Sequence, residues 1–268
     1  MKISSYTLSL SPMKKSASFL FVLVFIALSF PARALENRTG DTLLNGIQAK
    51  IEMAFRASFA TRKTDRMSLL DRQLEQLPAT DKLRDYWLAY SAYYQAIFYL
   101  QRGEKEKAQQ KIQASIDRLG APAQPTSESY ALLALVESFS IQFASGMQAG
   151  VLSAKVRRHA QKACELDPAN LRAWYVRASN DYYTPKSLGG GQQTEAFLLK
   201  AIALDEQPRP DARLPRWGKA DAYALLISFY LDNNNQEKAR RYSEQGLALY
   251  PDDYKLNQAA AKVEPRHP

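Results

Sequence analysis

The sequence is poor in the residues that most often carry enzyme chemistry. It contains two histidines and one cysteine among 268 residues. His267 lies near the C-terminal end between Arg266 and Pro268, which leaves His159 as the one histidine in the body of the chain. A histidine-based metal site or a histidine-activated nucleophile needs partners that this composition does not readily supply. We therefore predict a protein that is not an enzyme and uses no metal and no cofactor.

The single cysteine and the single central histidine have simple structural interpretations. Cys164 has no second cysteine with which to form a disulfide inside the chain. We interpret it as a small buried apolar residue, with a bridge to another molecule as the alternative. His159 lies in the basic stretch from Lys155 to Lys162, and we interpret it as a partly exposed residue of a helix.

Glycine is scarce, with 11 residues, but three of them are consecutive at Gly189-Gly190-Gly191. A phosphate-binding loop would need a following Lys-Ser/Thr and a preceding strand, and the sequence provides neither. We predict a turn in which glycine permits positive φ and in which Pro185 ends the preceding helix. A functional role for this loop, projecting from one edge of the protein, is the alternative.

One long apolar run stands out, from Ala17 to Phe30. A bilayer-spanning helix needs roughly 20 apolar residues, which is more than this run contains. Met13-Lys14-Lys15 precedes it and Ala32-Arg33-Ala34 follows it, as in a secretory signal peptide. We predict that residues 1–34 are a signal peptide, cleaved after Ala34, and that the protein is exported to the periplasm without a membrane span. A retained membrane anchor is the alternative.

The charge is modest for the length of the chain. Removal of Lys2, Lys14, Lys15 and Arg33 with the predicted signal peptide lowers the net charge of +9 by four, to +5. The remaining basic residues alternate with acidic ones, which is typical of solvated helix faces rather than of a surface that follows phosphates. We predict no nucleic-acid partner.

A repeating pattern of large and small apolar residues runs through most of the sequence. It is clearest over residues 220–253, in a frame of about 34 residues that has two apolar helical stretches around a polar turn, Asp232-Asn233-Asn234-Asn235. The positions that define the frame are Tyr223, Leu226, Tyr230, Ala239, Leu247 and Pro251. This pattern resembles a tetratricopeptide repeat.

The same frame recurs upstream. Ala96, Gly103 and Ala108 fit it over residues 89–122, and Trp174 with Ala178 begins another unit whose turn is enlarged. The resemblance implies an all-α fold, an α-solenoid of stacked antiparallel helix pairs with about four to five repeats and a capping helix. We predict an irregular leading helix pair over residues 35–80, the repeat array over 81–262 and a disordered tail over 263–268.

Two short motifs give a more specific resemblance. Thr184-Pro185 followed by Gly189-Gly190-Gly191, and the later Arg216-Trp217-Gly218, are similar to a subgroup of exported bacterial tetratricopeptide proteins. Those proteins pair a Thr-Pro…Gly-Gly turn with a downstream Trp-Gly. The resemblance covers residues 80–255, and members of the subgroup are mostly regarded as interaction proteins.

The family resemblance also implies a binding groove. In tetratricopeptide arrays the first helix of each pair lines a concave face, and the corresponding positions here are Tyr90, Tyr93, Ile97, Arg172, Tyr175, Ser179 and Tyr182. Tyrosine offers a large contact area at a low cost in conformational entropy, which suits recognition. Packing in the helix core is an equally open interpretation of the four tyrosines. We also predict a structural ion pair between Arg177 and Asp181, one helical turn apart.

These features together predict a periplasmic scaffold or adaptor. We expect it to bind an unidentified protein or peptide partner in the concave groove, without catalysis. The alternative is an accessory component of a periplasmic solute uptake system, which would hold a small apolar ligand in an aromatic channel. The sequence leaves the partner and the oligomeric state open.

Overall fold

The structure is a computed structural model that describes residues 40–120, 125–206 and 210–263. The chain divides into a unit of Met1–Leu43, of which the described residues 40–43 are helical, and a second unit of Leu44–Pro268. The predicted signal peptide and residues 264–268 of the predicted tail lie outside the described residues. All helices discussed below belong to the second unit.

The regular structure of the described part of this unit is entirely helical. Residues Ile141–Phe143 and Lys186–Leu188 form short 3-10 turns between α-helices. The α-helices are α1 (Ile47–Thr61), α2 (Asp65–Glu75), α3 (Lys82–Gln101), α4 (Lys105–Gly120), α5 (Ser127–Ser140), α6 (Met147–Leu166), α7 (Leu171–Tyr183), α8 (Thr194–Ala203), α9 (Lys219–Asp232), α10 (Gln236–Leu249) and α11 (Tyr254–Ala260).

Consecutive helices pack as pairs, and the pairs stack. The pairs are α1 with α2, α3 with α4, α5 with α6, α7 with α8 and α9 with α10. The first helix of each pair packs on the first helix of the next, and the second helix of each pair packs on that same neighbour. Helix α11 caps the stack by packing on α9 and α10. The all-α solenoid predicted from the repeat pattern is therefore confirmed, with five helix pairs and a capping helix among the described residues.

Small residues at the predicted positions let the helices of a pair approach closely. Ala96 on α3 and Ala108 on α4 are fully buried, and so are Ala178 on α7 and Ala201 on α8. A larger side chain at a helix crossing would hold the two backbones apart, because ridges of one helix must fit the grooves of the other. The alanine positions of the repeat frame thus set the spacing within each pair.

The regular inter-helix turns share one hydrogen-bond pattern. Gly103 (φ 76°) and Asn234 (φ 55°) both adopt a left-handed conformation. The amide that follows each of them donates back to the preceding helix, from Glu104 to the Tyr99 carbonyl (2.9 Å) and from Asn235 to the Tyr230 carbonyl. This pattern ends α3 and α9 and reverses the chain, as the sequence predicted for both turns.

Carboxylate side chains fix the starts of two helices. Asp81 accepts a hydrogen bond from the Leu83 amide (2.9 Å), and Asp253 accepts one from the Leu256 amide (2.9 Å). Each bond satisfies an amide that has no partner inside its helix, and the negative charge interacts favourably with the helix dipole. Both carboxylates act as N-caps, which is consistent with their positions in the sequence.

The glycine-rich turn after α7 is required by close backbone packing. Gly189 (φ 84°) and Gly191 (φ 79°) take the positive φ values that were predicted for a turn. A Cβ atom on Gly190 would lie 1.9 Å from the carbonyl oxygen of Thr184, so no other residue fits there without a backbone shift. The motif therefore has a structural explanation in the reversal between α7 and α8.

The sequence did not predict that residues 210–218, which precede α9, cross to the first two helix pairs. We refer to these residues as the crossing segment. The Trp217 indole N–H donates to the Tyr86 hydroxyl at 2.7 Å, and the Trp87 indole N–H donates to the Arg213 carbonyl at 3.0 Å. The Gly46 amide also donates to the Ala212 carbonyl (2.9 Å). The crossing segment thus connects α1 and α3 to the C-terminal half of the stack.

Candidate functional site

The groove residues predicted from the repeat frame lie on α3 and α7, at spacings that place them along one face of each helix. Three of them are buried: Tyr90, Arg172 and Ser179. Four are partly exposed: Tyr93, Ile97, Tyr175 and Tyr182. The four partly exposed residues reach solvent with part of their side chains, whereas the other three are buried within the chain.

Arg172 holds together three parts of the chain. Its Nε donates to Glu128 Oε2 on α5 at 2.7 Å, and its Nη2 donates to the Glu206 carbonyl at 3.3 Å. Its Nη1 lies 3.4 Å from the Trp217 carbonyl in the crossing segment. Burial is the largest single effect and lowers the pKa of the Arg172 guanidinium, but Glu128, Tyr86 and Glu206 together raise it above its ordinary value. Arg172 therefore stabilises the fold at the join between α5, α7 and the crossing segment.

Tyr90 is part of a buried hydrogen-bond chain. Its hydroxyl donates to Glu52 Oε1 on α1 at 2.9 Å and lies 3.2 Å from the Tyr94 hydroxyl. Burial is the main reason that the pKa of Tyr90 is raised well above its ordinary value. Because Tyr94 is partly exposed, the chain leads from the buried interface of α1 and α3 to the surface.

Four residues, Tyr93, Tyr94, Tyr175 and Asp221, lie close enough to Lys255 to affect its pKa. We call these four residues and Lys255 the inner wall. They come from α3, α7, α9 and α11. Lys255 Nζ lies 2.6 Å from Asp221 Oδ1, and the lysine side chain is still 62% exposed. Asp221 is the main cause of the raised pKa of Lys255, to which the three tyrosines also contribute. The Lys255 side chain therefore reaches water while its charge is paired with Asp221.

The tyrosines of the inner wall stay neutral at physiological pH. Burial is the largest reason for the raised phenol pKa of Tyr93 and Tyr175, and Lys255 and Asp221 act on both in opposite directions. A neutral phenol keeps its proton and can donate one hydrogen bond while its ring packs against apolar groups. The inner wall thus offers hydroxyl donors and one charge of each sign.

Tyr182 lies at the end of α7, away from the inner wall. Its hydroxyl donates to the carboxylate of Asp232 at the end of α9, and its ring meets the edge of Tyr183 with centroids 4.8 Å apart. Burial and this hydrogen bond both raise the pKa of Tyr182. Its hydroxyl is therefore engaged within the chain, although part of the ring remains exposed.

The predicted ion pair between Arg177 and Asp181 is wrong. The Arg177 guanidinium carbon lies 4.4 Å from the centroid of the Phe197 ring and 5.5 Å from that of Trp174. Asp181 Oδ2 accepts hydrogen bonds from the Thr194 hydroxyl (2.7 Å) and the Gln193 amide (2.9 Å) at the start of α8. The carboxylate is thus used to cap the next helix, and the arginine packs on aromatic rings instead.

Cys164 and His159 have the environments that were predicted. Cys164 is buried and unpaired, and burial raises the pKa of its thiol. His159 is partly exposed on α6, and its Nδ1 lies 2.7 Å from Glu137 Oε2. Lys155 Nζ lies 2.8 Å from the other oxygen of this fully buried carboxylate. Lys155 therefore compensates the buried negative charge of Glu137 on α5, and His159 contacts the other carboxylate oxygen.

Sequence reasoning missed Tyr94, Asp221 and Lys255 as members of the inner wall. The aromatic stretch around Tyr93 was a signal for Tyr94, because neighbouring tyrosines on one helix can reach the same space. Asp221 and Lys255 had no comparable signal, since their position opposite α3 depends on how the stack curves. Their ion pair gives the inner wall its only charges among the five residues that define it.

Within residues 40–120, 125–206 and 210–263, no three His, Cys, Asp or Glu side chains gather where they could hold a metal ion. In the same ranges no helix combines the length and the apolar composition that crossing a membrane requires.

A thermophilic TPR protein of Thermus thermophilus, TTC0263, superposes with a TM-score of 0.50 at 15% sequence identity, over 80% of this chain and 98% of that chain. This likeness places the chain in the class of helical-repeat proteins. Its fold is the tetratricopeptide-repeat fold that the sequence pattern predicted.

Two other TPR structures are similar at lower TM-scores. YrrB, described as a TPR protein with an unusual peptide-binding site, has 13% identity over 79% of this chain and 90% of that chain, with a TM-score of 0.37. The C-terminal part of a TPR repeat-containing protein from Cytophaga hutchinsonii has 16% identity over 85% and 97%, with a TM-score of 0.31. No family model and no curated protein matches the sequence. The exported subgroup stays a prediction.

Proposed function

We propose that the protein is a non-catalytic scaffold of the periplasm that binds a segment of a protein or peptide partner on its inner wall. The observation that carries this proposal is the proximity of Tyr93, Tyr94 and Tyr175 to the Asp221–Lys255 ion pair, whose lysine side chain is 62% exposed. Such a surface combines aromatic contact area with polar groups that can orient a peptide backbone.

The polar groups of the inner wall favour a peptide over a small apolar ligand. An apolar ligand would cover the tyrosine hydroxyls and the Asp221–Lys255 pair without replacing their hydrogen bonds to water, and each uncompensated polar group costs free energy. A peptide brings amide and carbonyl groups that can pair with them. For this reason we place the accessory role in solute uptake second to the scaffold role.

The crossing segment sets one boundary of the proposed site. It covers Tyr86 and Trp87 near the start of α3, and both are buried. Tyr93 and Tyr94 lie farther along the same helix and are partly exposed. A partner would therefore contact the second half of α3 together with α7, α9 and α11.

The binding proposal can be tested with a phage-displayed random peptide library. Peptides selected on the purified wild-type chain are synthesised, and their Kd values are measured by fluorescence anisotropy. We expect Tyr93→Ala/Tyr175→Ala to weaken binding at least about tenfold, as for aromatic residues at the centre of an interface. Tyr254→Ala, which removes a tyrosine that lies outside the inner wall, should change the Kd less than about twofold. Equal Kd values for the wild type and the double variant would contradict the proposal.

The periplasmic location rests on the pattern of residues 1–34 and has its own test. The chain is produced in a Gram-negative host, recovered by osmotic shock and examined by intact mass spectrometry. We expect a mature chain that begins at Leu35. A full-length chain that stays in the cytosolic fraction would contradict the location and leave the binding proposal unaffected.

A further inference from the structure

The turn between α5 and α6 and the turn between α7 and α8 lie side by side and form an open groove. It has a volume of about 1240 Å³ and lies between the end of α5, the first turns of α6, the end of α7 and the turn that contains Pro185 and Leu188. We call it the edge groove. It is separate from the inner wall, although the Phe139 ring at its margin meets the edge of Tyr93 at a centroid distance of 5.5 Å.

The edge groove concentrates exposed apolar side chains. Met147, Tyr183, Leu188 and Val151 are 87%, 72%, 68% and 63% exposed. They are four of the five most exposed large apolar side chains among the described residues, and all four line the groove. Scattered exposed apolar residues are normal on proteins, but a contiguous patch of them marks an interaction surface.

The charge at the edge groove is of one sign. Arg157 is the one charged side chain among the described lining residues, and no carboxylate lines the groove. Lys186 lies between the lining residues Pro185 and Leu188, and neither cation has an ion pair within the described part of the chain. The groove therefore favours an occupant that carries carboxylates close to its apolar side chains.

The hydrogen-bonding groups of the groove are largely engaged with one another. The Ser153 hydroxyl donates to Asn180 Oδ1 (3.1 Å), and the Thr184 hydroxyl donates to the Asn180 carbonyl (2.6 Å). Gln142 Nε2 donates to the Phe139 carbonyl at 2.8 Å. An extended peptide would leave the backbone groups that face the groove without partners, whereas a helix satisfies its own.

We propose that the edge groove binds an amphipathic helix of a partner protein. The apolar face of that helix packs on Met147, Val151 and Leu188, and an acidic residue at its margin pairs with Arg157. An apolar stripe flanked by carboxylates is the pattern that fits this lining. The inference concerns a second site and does not depend on the inner wall.

The proposal can be tested with three labelled synthetic peptides of about 18 residues, a length that permits several helical turns. One has a leucine stripe flanked by glutamates, the second replaces the glutamates by lysines, and the third scrambles the first. Their Kd values for the full chain are measured by fluorescence anisotropy. We expect the acidic amphipathic peptide to bind with a Kd on the order of 10 μM, and the scrambled and basic peptides to bind at least about tenfold more weakly.

A charge reversal separates a specific contact from general attraction. Arg157→Glu should weaken binding of the acidic peptide at least about tenfold and should strengthen binding of the basic peptide. Arg158→Glu makes the same change in net charge at an exposed residue that does not line the groove, and it should change both Kd values less than about threefold. Equal effects of the two substitutions would overturn the pairing with Arg157.

A second pair of variants tests the apolar lining and the nature of the occupant. Val151→Ser/Leu188→Ser should abolish binding of the acidic peptide, whereas Tyr175→Ala, on the inner wall, should leave it unchanged. Failure of the acidic peptide to bind at about 1 mM would overturn the proposal. So would a concentration-dependent dimer in sedimentation equilibrium that Val151→Ser/Leu188→Ser abolishes, because the occupant would then be a second copy of this chain.

Discussion

Trp217 donates its indole N–H to the hydroxyl of Tyr86 over 2.7 Å, although 131 positions separate the two residues in the sequence. Both side chains are buried, so the bond joins the start of α9 to α3 inside the protein. A contact of this kind is unusual in a solenoid, where each repeat normally touches only its neighbours. The stack is therefore restrained between its two ends as well as along its length.

The Trp217–Tyr86 bond should contribute measurably to stability. Trp217→Phe removes the donor and leaves the Tyr86 hydroxyl buried without this partner, so we expect a loss of about 1–3 kcal/mol in the free energy of unfolding. Trp174→Phe is the matched control, because the Trp174 indole N–H donates to the Pro168 carbonyl in an exposed position. Trp174→Phe should lower the free energy of unfolding by less than Trp217→Phe does. Urea denaturation measures the free energy of unfolding of both variants, and equal losses would contradict a stabilising role of the Trp217–Tyr86 bond.

The buried charge of Arg172 should make its removal costly. Arg172→Met leaves Glu128 and the neighbouring carbonyls without their donor, and we expect a loss of about 3 kcal/mol. The double variant Arg172→Met/Glu128→Leu should recover part of that loss, because no unpaired charge remains. Lys162→Met, which breaks an exposed ion pair with Glu165, should cost less than about 0.5 kcal/mol. Denaturant titration measures the free energy of unfolding of the wild type and the three variants. A double variant no more stable than Arg172→Met would contradict the cost of an unpaired buried charge.

Asp71 should make stability fall as the pH rises. Burial is the main cause of its raised carboxyl pKa, and Gln95 donates to its Oδ2 at 2.7 Å while Oδ1 has no hydrogen bond in the described structure. Because the folded chain holds this proton to a higher pH than the unfolded chain, the stability contribution is fully present below the unfolded pKa of 3.8. It is lost as the pH rises through the folded value.

Asp71→Asn removes this titration and keeps an acceptor for Gln95. We expect the variant to be more stable than the wild type at pH 7, with a higher Tm, and we expect the difference to shrink toward pH 3.5. Asp117→Asn, at an exposed carboxylate of α4, makes the same change in charge and should show no such trend. A constant difference across the pH range would argue against the raised pKa.

Substitution of alanine for two of the glycines should change the stability of the fold in opposite directions. Gly190→Ala would place Cβ 1.9 Å from the Thr184 carbonyl oxygen, and we expect a loss of at least about 2 kcal/mol. Gly150 lies inside α6 with open space around it, so Gly150→Ala should increase stability by about 0.5–1 kcal/mol. Thermal unfolding followed by circular dichroism measures both changes. Equal behaviour of the two variants would contradict the packing of the glycine-rich turn.

The helix pairs were predictable because their signals are local. The alanines at 96 and 108 and the polar turn before α10 are spaced as a helical hairpin requires, and the structure places them accordingly. The crossing segment was not predictable, since the sequence between Tyr86 and Trp217 contains no periodicity that reports their contact. Its motif, Arg216-Trp217-Gly218, was recognised as a pattern, and only the structure gives its physical role.

The candidate site was predictable to the level of a helix face. The repeat frame places Tyr90 and Tyr93 on the same side of α3. Tyr90 forms a hydrogen bond with Glu52 on α1, whereas Tyr93 belongs to the inner wall. Neighbours distant in sequence decide such differences. The same reason explains the wrong ion pair, because Asp181 bonds to Thr194 on the following helix rather than to the arginine one turn away.

The central claim is that a partner segment binds the inner wall, and the tyrosine side chains can report this directly. The chain is produced with ¹³C-labelled tyrosine, and its NMR spectrum is recorded during titration with a peptide selected from the library. The account predicts that the ring signals of Tyr93, Tyr94 and Tyr175 shift together, while those of Tyr183 in the edge groove and of Tyr254 do not. Shifts confined to Tyr183, with no change at the three inner-wall tyrosines, would contradict it.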